Sequence, residues 1–201
     1  MRVVSQAPPE AVLPPAPGAE QYLALDFANS AIALPGGQFV DLLGAPASAN
    51  LWLTHRQLAP ADAGVQETCV MQLRALREHV RALFAARVAG LPVPRAALSA
   101  VNDAMRRVPT AALLFWDEKT GPYRAAPCPT DEILEHALAA LAASAADLLT
   151  GPDAECLTRC DAPPCIRFLL RRGRRHWCST RCGDRVRAAR AYARRTHPPA
   201  G

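Results

Sequence analysis

The residues with the plainest chemical potential are four cysteines in the last quarter of the 201-residue chain, spaced Cys160-x4-Cys165-x12-Cys178-x3-Cys182. Two close pairs suit a tetrahedral thiolate site, because each short loop delivers two sulfurs to one ion at Zn–S distances of about 2.3 Å. Four thiolates leave no open position for a catalytic water, so the chemistry is structural binding of Zn²⁺ rather than hydrolysis. The chain has seven cysteines, and five of them, from Cys156 to Cys182, fall within 27 residues. In the reducing cytoplasm, the default location here, structural disulfides are disfavoured and a metal becomes the leading explanation. Cys156, at x3 before Cys160, is an alternative ligand, as are His176 and His197. Cys69 and Cys128 read as small core or loop residues.

The elements that must hold these sulfurs follow from the same segment. Ile166–Leu170 and His176-Trp177 are expected to form a hairpin with Gly173 in its turn. A helix is then expected from Ser179 or Thr180 to about Arg195, giving a treble-clef-like knuckle–hairpin–helix order. So small a module has almost no apolar core, and metal binding would supply folding free energy on the order of 10 kcal/mol. At 100° per residue, Cys182, Val186, Ala189 and Ala193 share one stripe of that helix, expected to pack on the hairpin. Arg187, Arg190 and Arg194 flank the stripe on one side, and Arg181, Arg185 and Arg195 on the other, with Tyr192 among them.

Charge follows the same partition. Of 23 basic residues all but Lys119 are arginine, and the formal net charge is +5. Residues 1–150 sum to −3 and residues 151–201 to +8, so the positive charge belongs to the cysteine-rich end. A Zn(Cys)₄ centre carries a formal −2, which lowers the tail to about +6. With Arg171, Arg172, Arg174 and Arg175 of the hairpin added to the helix rows, the guanidinium groups exceed what compensation of the metal requires. Planar forks of this kind bind phosphate oxygens in pairs and reach guanine edges, which makes DNA the expected partner. An acidic protein, RNA, or plain neutralisation of the centre are the alternatives.

Upstream, a predominantly α domain is expected over 20–152, behind a Pro-rich disordered leader (1–19) that holds five prolines; the zinc module takes 153–197 and a short tail 198–201. No membrane span is read. Tyr22–Ser30 is apolar with Asp26 and Asn29 embedded, and Gly36-Gly37 marks a turn. Ser48 is a candidate cap for a short helix carrying Trp52. A long helix is expected over about 62–89, with Val70, Leu73, Leu76, Val80, Leu83 and Phe84 on one face and Gly90 stopping it. The next helix runs from Pro94 to about Arg107, with Leu98, Val101 and Met105 inward. Leu113–Trp116 and Tyr123-Arg124 flank a turn as a small β-hairpin, and Trp52 and Trp116 read as core or pocket wall. Thr130 is placed to cap a helix with Asp131 and Glu132 in its first turn, whose stripe is Leu134, Leu138, Leu141, Ala145 and Leu148. The fold class is thus predominantly α (α+β), with a C-terminal zinc module.

At Arg159–Arg195 the chain resembles the CGNR zinc finger family, on the text RCDAPPC and RRHWCSTRCGDRVRAARAYARR. The family's name motif stands here as Cys182-Gly183-Asp184-Arg185, with Asp in place of Asn. A carboxylate there suits a helix N-terminus but repels phosphate. The four family ligands map onto Cys160, Cys165, Cys178 and Cys182, and Trp177 precedes the third; Arg187 stands where Lys is usual. Leu25-Asp26-Phe27-Ala28-Asn29-Ser30 is similar to the LDFxNT signature of the ABATE domain, with Asp41-Leu42-Leu43 and Trp52-Leu53 matching its further pairs. The resemblance implies a stress-responsive transcription regulator with a sensor-like first domain. Asp26 and Asn29 are then candidate contacts for a small-molecule effector. No GxSxG, P-loop or HExxH pattern occurs, so a non-enzyme is expected. Reading a palindromic DNA site would require a homodimer. A thiol–zinc redox switch is the expected alternative to DNA binding.

Overall fold

The computed structural model describes residues 14–108, 113–125 and 132–196. Five helices form the first part: α1 (Leu23–Ala28), α2 (Pro46–His55), α3 (Glu67–Ala89), α4 (Arg95–Arg106) and α5 (Ile133–Thr150). Three two-stranded antiparallel sheets join them: β1 (Ala31–Ala33) with β2 (Phe39–Asp41), β3 (Leu113–Asp117) with β4 (Gly121–Ala125), and β5 (Leu157–Arg159) with β6 (Phe168–Leu170). Helix α6 (Thr180–Thr196) closes the described chain. The class is α+β.

Helix α3 buries the expected stripe, Val70, Leu73, Leu76, Val80, Leu83 and Phe84, and Gly90 ends it in the left-handed region at φ 62°. It starts at Glu67 rather than 62, because Gly64 turns at φ 64° and Gln66 is extended. Helix α4 buries Ala97, Val101 and Ala104, which leaves Leu98 exposed, about 100° round from that face. Ser48 sits inside α2, not at its cap; its hydroxyl accepts the Ala45 N–H at 3.2 Å and donates to the Ala45 carbonyl.

Helix α5 has 18 residues and a mean hydropathy of 1.4, apolar enough by length and composition to cross a membrane. Its buried side chains, Leu138, Leu141, Ala145 and Leu148 among them, lie in the core shared with α1, α3 and α4. Thr130, expected to cap it, and Asp131, expected in its first turn, fall outside the described residues. The hairpin β3–β4 forms as expected, yet Trp116 is not a core residue: 74% of it is exposed, and Leu114 and Tyr123 also face outward.

The C-terminal strands pair differently from the sequence expectation. Phe168–Leu170 pairs with Leu157–Arg159, not with His176-Trp177, in the register Leu157↔Leu170, Thr158↔Leu169 and Arg159↔Phe168. All three β6 side chains are buried because the strand lies between two clusters. Phe168 and Leu170 enter the helical core with Leu157, and Phe168 meets Phe84 edge-on at 5.6 Å. Leu169, on the opposite face by the period of two, packs among Cys160, Cys178 and Cys182. The module therefore does not fold on metal alone; its hairpin shares the core of the helical part.

Pro14–Ala19 falls within the segment expected to be a disordered leader, yet it packs on the body of the fold. It forms a turn against β6: the Leu170 N–H donates to the Pro17 carbonyl at 2.8 Å, and Ala16 is buried in the cysteine cluster. Gly18 sits at φ 94°, where a Cβ would come within 2.5 Å of the Leu170 side chain.

Candidate metal centre

Cys160 directly follows strand β5, and a tight turn through Ala162, Pro163 and Pro164 brings back Cys165, whose N–H donates to the Ala162 carbonyl at 2.8 Å. After β6 the chain turns at Gly173, φ 66°, and returns Cys178 beside Cys160, whose sulfur accepts the Cys178 N–H at 3.4 Å. Ser179 caps α6: its hydroxyl accepts the Cys182 N–H at 3.3 Å, fixing the fourth sulfur in the first turn. Gly183 lets that turn approach Trp177, since a Cβ there would stand 2.9 Å from the indole.

The four sulfurs lie within 4.8 Å of one another. Cys165 and Cys178 are 3.6 Å apart, and Cys178 and Cys182 are 3.7 Å apart. A Zn–S bond of about 2.3 Å implies a tetrahedron edge of about 3.8 Å, so the donor set fits that ion by type and by size. Hydrogen bonding from Cys165 and Cys178 holds the Cys160 thiol far below its ordinary range, while the bonds with Cys160 push Cys165 and Cys178 up. Cys160, Cys178 and Cys182 are buried and Cys165 is half-buried. Cys156 is outside the cluster and packs on the helical core. His176 turns its Nδ1 toward Asp161 at 3.3 Å, and His197 and Cys128 are outside the described residues.

Two guanidinium groups that spacing did not single out as sulfur partners touch the thiolates. Arg167, only 3% exposed, donates to the Cys178 sulfur at 3.7 Å and to the Pro14 carbonyl at 2.9 Å. Arg185 donates to the Cys182 sulfur at 3.5 Å and to the carbonyls of Ala162 and Pro163 at 3.0 Å. Both oppose the negative charge of a four-thiolate centre. Arg167 carries no sequence signal beyond lying between the second and third cysteines.

The expected nucleic-acid arginines divide into two groups. Arg172 is held by Asp153 and Gln21, Arg185 by the knuckle, and Arg187 by Asp184 at 2.5 Å while it covers the Trp177 ring at 5.5 Å. The Asp184 carboxylate is thereby neutralised. Among the described residues no acidic side chain pairs with Arg171, Arg174, Arg175, Arg190 or Arg194, nor with Arg195. Arg181 lies exposed in the first turn of α6. The helix leaves the body after Val186: Ala189 and Ala193, expected to pack on the hairpin, are exposed, and so is Tyr192.

Asp26 and Asn29 spend their polar atoms inside the chain. Asp26 pairs with Arg56, which lies over Trp52 at 4.4 Å. Asn29, only 4% exposed, exchanges two hydrogen bonds with the backbone of Phe168. Arg81 joins the same seam, donating to the carbonyls of Ala28 and Ile166. Asn29 and Arg81 thus join the helical part to β6 and the residue pair before it, while the Asp26 ion pair lies within the helical part.

Two family models match the chain. ABATE, described as a putative stress-induced transcription regulator, covers residues 21–152. The CGNR zinc finger covers residues 157–195 and with it all four clustered cysteines. No curated protein matches the chain.

Proposed function

The chain belongs to the ABATE family and ends in a CGNR zinc finger, and on that premise we propose that it is a zinc-loaded regulator that binds duplex DNA through α6 and the turn after β6. Cys160, Cys165, Cys178 and Cys182 hold the ion, which when bound fixes the start of α6 against the β5–β6 hairpin.

The observation that carries the reading is the exposed second half of α6. Past Arg187 only Ala191 is half-buried; every other residue to Thr196 is exposed. A helix that shows both its alanine stripe and its arginines is suited to close approach. The span from Ala188 to Thr196 is about 13 Å long, and the small Ala face lets the rod enter a major groove about 12 Å wide. Arg190, Arg194 and Arg195 then reach phosphates or base edges, with Arg171, Arg174 and Arg175 on the neighbouring turn.

Selection from randomised duplexes with the zinc-loaded full chain tests this. Enrichment of a motif, with affinity that falls steeply as salt rises, is the expected result. Equal affinity for duplex DNA, structured RNA and heparin at one salt concentration would sink it.

A further inference from the structure

We propose that Cys165 is an oxidant-reactive ligand, attacked through a cavity that opens on the metal centre. The inference rests on the zinc reading of the four cysteines and is independent of DNA binding. Cys165 is the one sulfur of the four that is not buried. A cavity of about 230 Å³ lies between the β1–β2 turn and the centre, lined by Leu34, Pro35, Cys165, Arg181, Cys182 and Arg185, with Ala33 at its wall. A water's share of liquid volume is about 30 Å³, so hydrogen peroxide fits with room to orient. The wall at 33–35 is apolar, while the side facing it carries two sulfurs and two guanidinium groups.

This arrangement combines what thiolate oxidation needs. The Cys165 thiolate attacks one peroxide oxygen: an S–O bond forms, the O–O bond breaks, and hydroxide leaves. Arg181 and Arg185 line the space in which that negative charge develops. The Cys178 thiolate, 3.6 Å from Cys165, then attacks the sulfenic sulfur, closing a disulfide and expelling a second hydroxide. Two thiolates lose two electrons and one peroxide gains them; the hydroxides take their protons from solvent. The bond removes two of the four ligands, and the remaining pair no longer retains the cation. None of the described cysteines is in a disulfide, so this bond would be new among them.

The test uses the purified full chain. Its zinc content is measured first; a chain without zinc would overturn the metal reading and this inference with it. With zinc present, hydrogen peroxide is added, release is followed with a colorimetric chelator, and the first disulfide is mapped by differential alkylation and mass spectrometry. A first disulfide joining Cys165 to Cys178 is expected. L34W fills the cavity and leaves all four ligand residues in place, so it is expected to keep its zinc and to release it severalfold more slowly. If L34W misfolds, access is tested on the unaltered chain with tert-butyl hydroperoxide, expected to be slower than hydrogen peroxide by more than it is on a free small thiol. A first disulfide that omits Cys165, or a loaded chain that discriminates by neither measure, would overturn this inference alone.

Discussion

Asn29 and Phe168, 139 residues apart, are joined by a pair of hydrogen bonds: the Asn29 Nδ2 donates to the Phe168 carbonyl at 2.9 Å, and its Oδ1 accepts the Phe168 N–H at 2.8 Å. One side chain thus does for β6 what another strand would do. The signature segment of the helical domain is in this way fastened to the strand that backs the metal centre. Replacing Asn29 by Ala leaves a buried N–H and a buried carbonyl unpaired, and should cost about 2–4 kcal/mol of stability. The check is chemical denaturation of the zinc-loaded chain, in which N29A unfolds at lower denaturant with an unchanged slope. A variant as stable as the parent would show that the seam is held elsewhere.

Arg167 reaches the Cys178 sulfur with one nitrogen and the Pro14 carbonyl with another, so the metal centre and the N-terminal turn share one guanidinium. R167M keeps the bulk but loses both bonds. Outer partners of metal ligands typically contribute 10–100-fold to affinity, and a weakening of about that size is expected in chelator competition. The same variant should loosen Ala16–Gly18, seen as faster amide exchange there. Slower exchange or unchanged zinc affinity would contradict the coupling.

The metal geometry was legible in the sequence because four spaced cysteines are a direct statement of which sulfurs meet. The α3 stripe was legible for a similar reason: its 3–4 spacing runs through 23 residues and nothing competes with it. The pairing of β5 with β6 was not. Strands of three residues show no period, and the run Phe168-Leu169-Leu170 is apolar on both faces because it separates two clusters. The role of Pro14–Ala19 was hidden for another reason: a proline-rich turn that is held by one carbonyl to Arg167 and one to Leu170 has a disordered segment's composition. Trp116 was misplaced because its β3 position is apolar on a hairpin whose faces are both exposed.

Gly183 owes its place to Trp177. A Cβ at this position would lie 2.9 Å from the indole ring, and the neighbouring Arg187 guanidinium, at 3.1 Å, leaves the ring little room to move. G183A should therefore destabilise the start of α6 by about 1–3 kcal/mol, despite the better helix propensity of alanine. Amide exchange within Thr180–Val186 is the suitable measurement, because the effect is local. Stabilisation of that turn would mean the indole yields freely.

Asp41 and Arg77 form a buried bidentate pair, with bonds of 2.5 and 3.0 Å, and Ser30 takes a further guanidinium bond at 3.2 Å. Burial pushes the Asp41 carboxyl up, but the hydrogen bond and charge of Arg77, the Leu43 N–H and Arg74 outweigh it and hold the carboxyl below its ordinary 3.8. A carboxyl that ionises lower in the folded chain contributes stability that is full above the unfolded value and is lost as pH falls through the folded one. At pH 7, D41N should cost about 3–5 kcal/mol, because it strands a buried guanidinium. The gap in unfolding free energy between parent and D41N should shrink below about pH 4. Comparing the two cancels the loss of zinc that acid causes in both. A gap constant with pH would show that the pair does not titrate with folding.

Arg190 and Arg194 lie one turn apart on the exposed half of α6, and no acidic side chain pairs with either among the described residues. Arg187, one turn earlier, is tied to Asp184 and Trp177. If the helix lies along the nucleic acid, the two groups differ in effect. R190A and R194A should each weaken DNA binding and lower the slope of log K against log salt by about 1, provided each arginine contacts phosphate. R187A should change the slope less and act mainly through the packing of Trp177. A slope that responds to Arg187 and not to Arg190 or Arg194 would place the contact at the root of the helix and exclude its free end.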